Sequence, residues 1–365
     1  MRLESPAFWR IIVAFSLFQN TVIAQTTPTL QYRSATHQGI VDTGINGYEI
    51  YSPATIQSGS LLPRIWYGGW MTQSEMPTDN IYVADYNSKG QATNPKPIEW
   101  RNPGFPKGHL PGYHINDPTI VFGSDPRYPF HFMYFTALCD DYLYACAKEL
   151  GFKPPATTEV NQMFKRNWVG GAVSFDKGKT WQYLGIIIKQ KNGFDGSGAW
   201  SPSAITVKNE IWLYYHNNPY NCDDPFCTSQ IQTGSALLRS RLKGNGSELI
   251  KTDRLLGSGG KPIAGVANVD VQYAFGKYWL AGNTFSAGAP VKTSLVLYFS
   301  ADGINFKPYN GTDGVFIKRD DLQFITPHIV PTSANTFDVH FGFSKDFFTF
   351  GHGTYLSKWS FRLNP

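Results

Sequence analysis

One short segment returns along this chain, and its spacing constrains the fold more than any other feature. Gly47-Tyr48-Glu49-Ile50-Tyr51-Ser52-Pro53 shares its Gly, Tyr, Ile and Pro, position for position, with Gly112-Tyr113-His114-Ile115-Asn116-Asp117-Pro118. Ala199-Trp200-Ser201-Pro202-Ser203 echoes its end. Ala267-Asn268-Val269-Asp270 and Phe324-Ile325-Thr326-Pro327-His328 take the same place later. With Ser52, Asp117, Ser201, Asn268 and Thr326 as equivalent points, the steps are 65, 84, 67 and 58 residues. A period of this size is read as architecture before anything else.

Each segment leads into an aromatic run: Arg64–Trp70, Phe130–Thr136, Ile211–His216, Lys277–Asn283 and Thr336–Phe343. A third run follows: Asn80–Asp85, Val169–Phe175, Ser235–Arg241, Ser294–Ser300 and Thr354–Phe361. Runs of β-formers bounded by Gly and Pro read as strands. A fourth strand, such as Thr180–Ile188, fits four of the units; the fifth runs out of chain, and Thr29–Ser34 can supply what it lacks. The expectation is an all-β fold: a five-bladed β-propeller with four-stranded antiparallel blades, closed by the N- and C-terminal strands. Residues 25–365 form one domain in this reading. Its blades cover about 45–105, 110–190, 197–257, 264–312, and 322–365 joined by 28–36. The longest step holds an insertion near 143–165, with a short helix expected at Thr157–Lys165. Two stacked sandwiches are the alternative.

The 35 Gly and 24 Pro suit many turns and few long helices. Charged residues are 16%, and the formal charge of +5 comes from scattered rather than clustered Lys and Arg. A nucleic-acid footprint needs a concentrated basic face, so no nucleic-acid partner is expected. At the N-terminus, Arg2 and Arg10 precede the apolar run Ile11–Phe18 and the small-residue site Val22-Ile23-Ala24. That is the order of a secretory signal peptide over residues 1–24, too short to span a bilayer. The expected location is secreted or periplasmic, and the expected state a monomer. Cys139–Cys146 and Cys222–Cys227 are the simplest disulfides for an exported chain. The sequons at Asn245 and Asn310 matter only in a glycosylating host.

Ser174-Phe175-Asp176-Lys177-Gly178-Lys179-Thr180-Trp181 resembles the Asp-box hairpin, and Ser300-Ala301-Asp302-Gly303-Ile304-Asn305-Phe306 is a degenerate copy. Asp and Gly serve the turn and Trp packs between sheets, so the box is assigned structure, not catalysis.

In a propeller the innermost strands line a channel. Ser52, Asp117, Ser201, Asp270 and His328 are therefore expected to ring one mouth. Trp70–Asp79 and the two cystine loops, each holding Cys-Asp-Asp, would form its rim. Trp70, Tyr113 and Trp200 are candidate sugar platforms, and His114, Asn116, Ser201, His216 and His328 candidate sugar contacts.

The blade pattern over residues 45–361, with Ile115-Asn116-Asp117-Pro118, resembles the propeller glycoside hydrolases of families 43 and 32. The resemblance implies an inner-strand Asp as base or nucleophile, a second Asp one blade on, and a Glu acid two blades on. Carried over, Asp117 is the base, Ser201 stands where an Asp is expected, and Asp270 replaces the Glu. If the count starts at residue 52, Glu49, Glu75 or Asp79 must substitute. The resemblance also allows a structural Ca2+ or a water near His328 in the channel; no other cofactor is required.

The expected function is a secreted glycoside hydrolase that cleaves a poly- or oligosaccharide between two carboxyl groups, Asp117 and Asp270. A non-catalytic carbohydrate-binding propeller is the alternative, suggested by the serines at acid positions. A sialidase-like exo-glycosidase is a weaker one, since six blades, several boxes and an arginine triad would be expected.

Overall fold

The aromatic and β-branched runs do form strands, and they gather into five sheets. A computed structural model describes residues 29–36, 50–55, 64–69, 79–88, 92–105, 107, 110, 113–139, 167–188, 199–217, 237–285, 293–319, 322–344 and 355–364. Each sheet is a blade of a five-bladed propeller, counted here from I to V.

Blade I runs Ile50–Thr55, Arg64–Gly69, Asn80–Tyr86, Ala92–Pro97 from the inside outward. Blade II runs Tyr113–Phe122, His131–Cys139, Asn167–Ser174, Thr180–Ile188. Blade III is Ala199–Val207, Glu210–Asn217, Leu237–Lys243, Leu249–Arg254. Blade IV is Val266–Ala274, Lys277–Phe285, Thr293–Ser300, Lys307–Pro308. Blade V is Gln323–Ser333, Thr336–Ser344, Tyr355–Asn364 and, on its outer edge, the N-terminal Thr29–Thr36. That last pairing runs antiparallel from Thr29 opposite Asn364 to Thr36 opposite Lys358, so the two ends of the chain share one sheet. Two additions were not legible in the sequence. Glu99–Trp100 lies parallel on the edge of blade II, and Val315–Ile317 pairs with the third strand of blade IV.

The core is not one mass but a layer at every seam between blades, as expected when each sheet hides its faces against its neighbours. Trp66, Ile81 and Val83 of blade I meet Met133, Phe135 and Trp181 of blade II. Val121, Phe132 and Tyr134 meet Leu213 and Leu238 of blade III. Tyr214 and Leu237 meet Leu280 and Phe306 of blade IV. Trp279 and Leu297 meet Phe341 and Phe361 of blade V.

Three turns latch one blade to the preceding one. In the Asp box, the Ser174 hydroxyl donates to Asp176, the Gly178 N–H donates to Ser174, and Thr180 donates through both N–H and hydroxyl to Asp176. This holds Gly178 against the ring of Trp66 and sets Trp181 edge-on to it at 6.5 Å. The second box sets Gly303 against Tyr214, whose hydroxyl donates to the Gly303 carbonyl. The blade III turn at Gly246 does the same against Phe132 and Tyr134.

Among the described residues, no helix is long and apolar enough to cross a membrane. The signal peptide, the expected helix at 157–165, Cys146, Cys222 and Cys227 lie outside the described residues. Of Cys139 only the backbone, at the end of its strand, is described.

Candidate active site

The repeated segment has a physical cause. In all five blades the register between inner and second strand slips at the same point: Tyr51/Ala54, Asn116/Thr119, Trp200/Ser203, Ala267/Asp270 and Ile325/His328. Inside each slip one residue takes left-handed backbone: Ser52 (φ 52°), Asp117 (49°), Ser201 (50°), Asn268 (49°) and Thr326 (46°). Left-handed backbone on non-glycine residues costs about 1–3 kcal/mol each and persists only where the surroundings over-determine it. Small hydroxyl, amide and carboxyl side chains at these points supply the compensating bonds.

Those bonds form a closed belt around the channel. The Ser52 hydroxyl donates to Asp117 Oδ1, and the Thr136 hydroxyl donates to Asp117 Oδ2 at 2.8 Å. The N–H of Ser201 donates to Thr136 Oγ1 at 2.8 Å, and the Ser201 hydroxyl to Asn268 Oδ1 at 3.0 Å. Asn268 Nδ2 and the N–H of Thr326 both donate to Asn283 Oδ1. The N–H of Ser52 donates to Thr326 Oγ1 at 2.7 Å and closes the circle. Asp117 is the only carboxyl group among the five equivalent positions.

Asp270 and His328 sit two residues further along their strands, so they form a second tier. They are equivalent to Thr119 and Ser203, not to Asp117. The five residues expected around the mouth thus stand on two levels. Both tiers line one central cavity, which holds Ser52, Asp117, Ser201, Asp270 and His328 and leaves about 30 Å³ for the centres of water-sized molecules. Asp270 accepts from Ser203 (2.7 Å) and from the N–H of Ile329 (2.7 Å), and lies 3.2 Å from His328 Nδ1. Burial pushes its carboxyl up, but His328, Ile329 and Ser203 outweigh burial and hold it below the usual range. That is opposite to what a proton donor needs.

A different carboxyl has the character of an acid. Asp79, at the top of blade I, lies between Tyr51 and Asn116. Asn116 Nδ2 donates to Asp79 Oδ2 (3.0 Å) and to the Tyr51 oxygen (3.1 Å), and the Tyr51 hydroxyl bonds Asp79. The N–H of Ile115 donates to the Asp79 carbonyl, which ties it to the strand carrying Asp117. Asp79 Oδ1 is buried, with no hydrogen-bond partner among the described residues. Burial, opposed by Tyr51, Asn116 and His114 and aided by Asp117, raises its pKa to about 6. Asp117 is also raised by burial, with Ser52, Thr136 and Ser201 pulling it back.

The remaining candidates divide. Asn116 is at the centre of the Asp79 cluster, and His114 is near enough to act on its charge. Trp200 and His216 pair across blade III, rings edge-on at 5.1 Å, and among the described residues the indole N–H and both imidazole nitrogens have no hydrogen-bond partner. Tyr113 is buried in the seam between blades I and II, so it offers no open platform. Glu49, Glu75 and Trp70 lie outside the described residues. Thr136 and Asn283 gained importance only in three dimensions, because they sit on second strands with no signal in the repeat itself; Asp79 was among the substitutes expected for a count from residue 52. For Ca2+, the described residues bring no three His, Cys, Asp or Glu side chains together, and Asp270 is already engaged on both oxygens.

No family model and no curated protein matches the chain. Solved structures do. A B. megaterium levansucrase mutant aligns with a TM-score of 0.57 at 10% identity, over 92% of this chain and 90% of that one. An N-acetylgalactosamine deacetylase from F. plautii, in complex with blood group B trisaccharide, aligns at 0.54 and 14%, over 92% and 94%. This chain shares their fold. An exo-1,5-alpha-L-arabinanase from a bovine ruminal metagenomic library adds a third, at 0.51 and 12%, over 86% and 93%. Their names carry three different reactions, so the shared fold does not choose among them, and the site must.

Proposed function

We propose that the protein is a secreted glycoside hydrolase that cleaves a poly- or oligosaccharide at the channel mouth between blades I and II. The observation that carries this reading is the contrast between two neighbouring carboxyl groups. Among the described residues Asp79 keeps one oxygen without a partner, and burial raises its pKa to about 6, whereas Asp117 has both oxygens engaged by hydroxyl donors. Burial raises both carboxyl groups, but hydroxyl donors clasp Asp117 on both oxygens and oppose the rise there, and that difference in bonding is what suits the two to the roles of acid and base. In this reading Asp79, protonated on Oδ1, gives its proton to the glycosidic oxygen as the bond to the anomeric carbon breaks. Asp117, as carboxylate, takes a proton from the attacking water or attacks the carbon itself. Asp270 is left to hold the channel, and Asp79 takes the acid role that the family resemblance gave it. Trp200, half-buried at the mouth end of blade III, supplies a sugar contact, with the buried His216 ring edge-on behind it.

The test is a glycan panel assayed with wild type, Asp79→Asn and Asp117→Asn. Both variants are expected to lose about 10²–10⁴-fold in kcat on natural linkages. Asp79→Asn alone should recover on substrates whose leaving group needs no proton, such as dinitrophenyl glycosides. Equal losses on both substrate types would remove the assignment. The alternative is a non-catalytic carbohydrate-binding propeller. It is favoured by a belt in which four of five equivalent positions are neutral, and it requires glycan binding without turnover.

A further inference from the structure

The two hydroxyls that flank Asp117 are not free to turn. Thr136 Oγ1 receives the N–H of Ser201, so its own proton must go to an acceptor, and Asp117 Oδ2 is the one in reach. Ser52 is anchored through its N–H to Thr326 Oγ1 while its hydroxyl points at Asp117 Oδ1. Both anchors come from other blades, III and V. A protonated Asp117 would face two donors, so one hydroxyl would have to break its bond and swing away inside a tightly occupied channel.

We propose that the belt is a positioning device that fixes Asp117 as an anion in one orientation, with Ser52 and Thr136 as positioning residues. The inference rests on the glycosidase reading only for its effect on turnover; the effect on Asp117 itself is independent of any reaction. The belt couples all five blades to one carboxylate, which gives a physical reason for five strained backbones at equivalent points. The other ionisable groups facing this region are Asp79 and Tyr51 of blade I, Asp270 of blade IV and His328 of blade V. None of them donates to Asp117 among the bonds described above.

The experiment titrates Asp117 directly, by NMR of protein carrying ¹³C at the aspartate carboxyl carbons, with the signal assigned by its loss in Asp117→Asn. In Thr136→Val the midpoint should rise by about one pH unit, because one charge-assisted bond to the anion is gone. Thr136→Ser should restore it. Ser52→Ala should give a second rise and carries the test if Thr136→Val does not fold. On an active substrate, the acid limb of the kcat profile should move with the midpoint while KM holds. An Asp117 midpoint that stays in place in both variants overturns the proposal. If the midpoint moves and no glycan is cleaved, the positioning role stands and the hydrolase reading falls.

Discussion

The N–H of Thr55 donates to Nε2 of His328 at 3.1 Å, which leaves the ring proton on Nδ1, facing Asp270 Oδ2 at 3.2 Å. One side chain of blade V thus joins blade I to blade IV at the point where the ring closes. An imidazole held between an N–H donor and a carboxylate uses both nitrogens and leaves neither available for proton transfer. The Thr55 hydroxyl, 3.0 Å from the same Nε2, completes a chain that looks like a nucleophile, base and acid. With Nε2 occupied by backbone and little free space around it, the chain is a structural lock.

Asp270→Asn tests that lock through pH. The folded carboxyl is held below its unfolded value, so its stabilisation is fully present above the unfolded pKa of about 3.9 and is lost as pH falls through the folded one. Breaking this buried network should cost about 3–5 kcal/mol at pH 7. Urea denaturation at pH 7 and at pH 3 should show the penalty shrinking in acid. A penalty that does not change with pH would mean Asp270 acts only by filling space.

Asp79→Asn should make the protein more stable while making it less active. The folded pKa near 6 lies above the unfolded value, so folding favours the protonated form. Its stabilisation is complete below about pH 4 and lost as pH rises to 6. At pH 7 the wild type holds a buried charge that the amide avoids, worth about 1–3 kcal/mol. A higher melting temperature for the variant at pH 7, and no gain at pH 4, is the expected result. The same group predicts that wild-type activity falls as pH rises past about 6.

The blades could be counted in the sequence because one backbone event repeats. Ser52, Asp117, Ser201, Asn268 and Thr326 all sit in the same register slip, and the slip demands the same kinds of residue each time. The strand runs were legible because aromatic and β-branched residues fill every seam. The level of each channel residue was not legible. Asp270 looks interchangeable with Asn268 until the slip at Ala267/Asp270 moves it into the second tier. Nor could the proposed acid be read from a motif. Asp79 owes its raised pKa to burial, which its bonds with Tyr51 and Asn116 only partly offset, and those two come from strands starting 29 residues before and 34 residues after it. Three chain segments must meet before that carboxyl differs from any other.

Gly246→Ala tests the latch between blades II and III. The residue has φ 76°, and a Cβ there would lie 2.4 Å from a ring carbon of Phe132. Strain and overpacking together should cost about 2–4 kcal/mol. The turn lies at the opposite end of its blade from Asp117, so kcat should stay at the wild-type value. A normal melting temperature for the alanine variant would show that the turn can move away from Phe132, and the latch would then contribute nothing.

His216 offers a test in which binding and stability move in opposite directions. It is fully buried, burial pulls its pKa down to about 3, and neither ring nitrogen has a partner among the described residues. Folding therefore resists its protonation. The unfolded chain binds a proton below about pH 6.5 that the folded chain refuses, so wild-type stability falls as pH drops toward 3. His216→Leu removes that proton uptake and two orphaned polar atoms. The variant should be more stable by about 1 kcal/mol at pH 7 and by about 4 kcal/mol at pH 4. If the imidazole contacts a sugar hydroxyl when substrate binds, KM should rise about tenfold with kcat little changed, as one hydrogen bond is lost in ground and transition state alike. Denaturation curves at the two pH values read the first effect and steady-state kinetics the second. A stabilised variant with unaltered KM would confine His216 to the protein interior and take the rim of blade III out of substrate recognition.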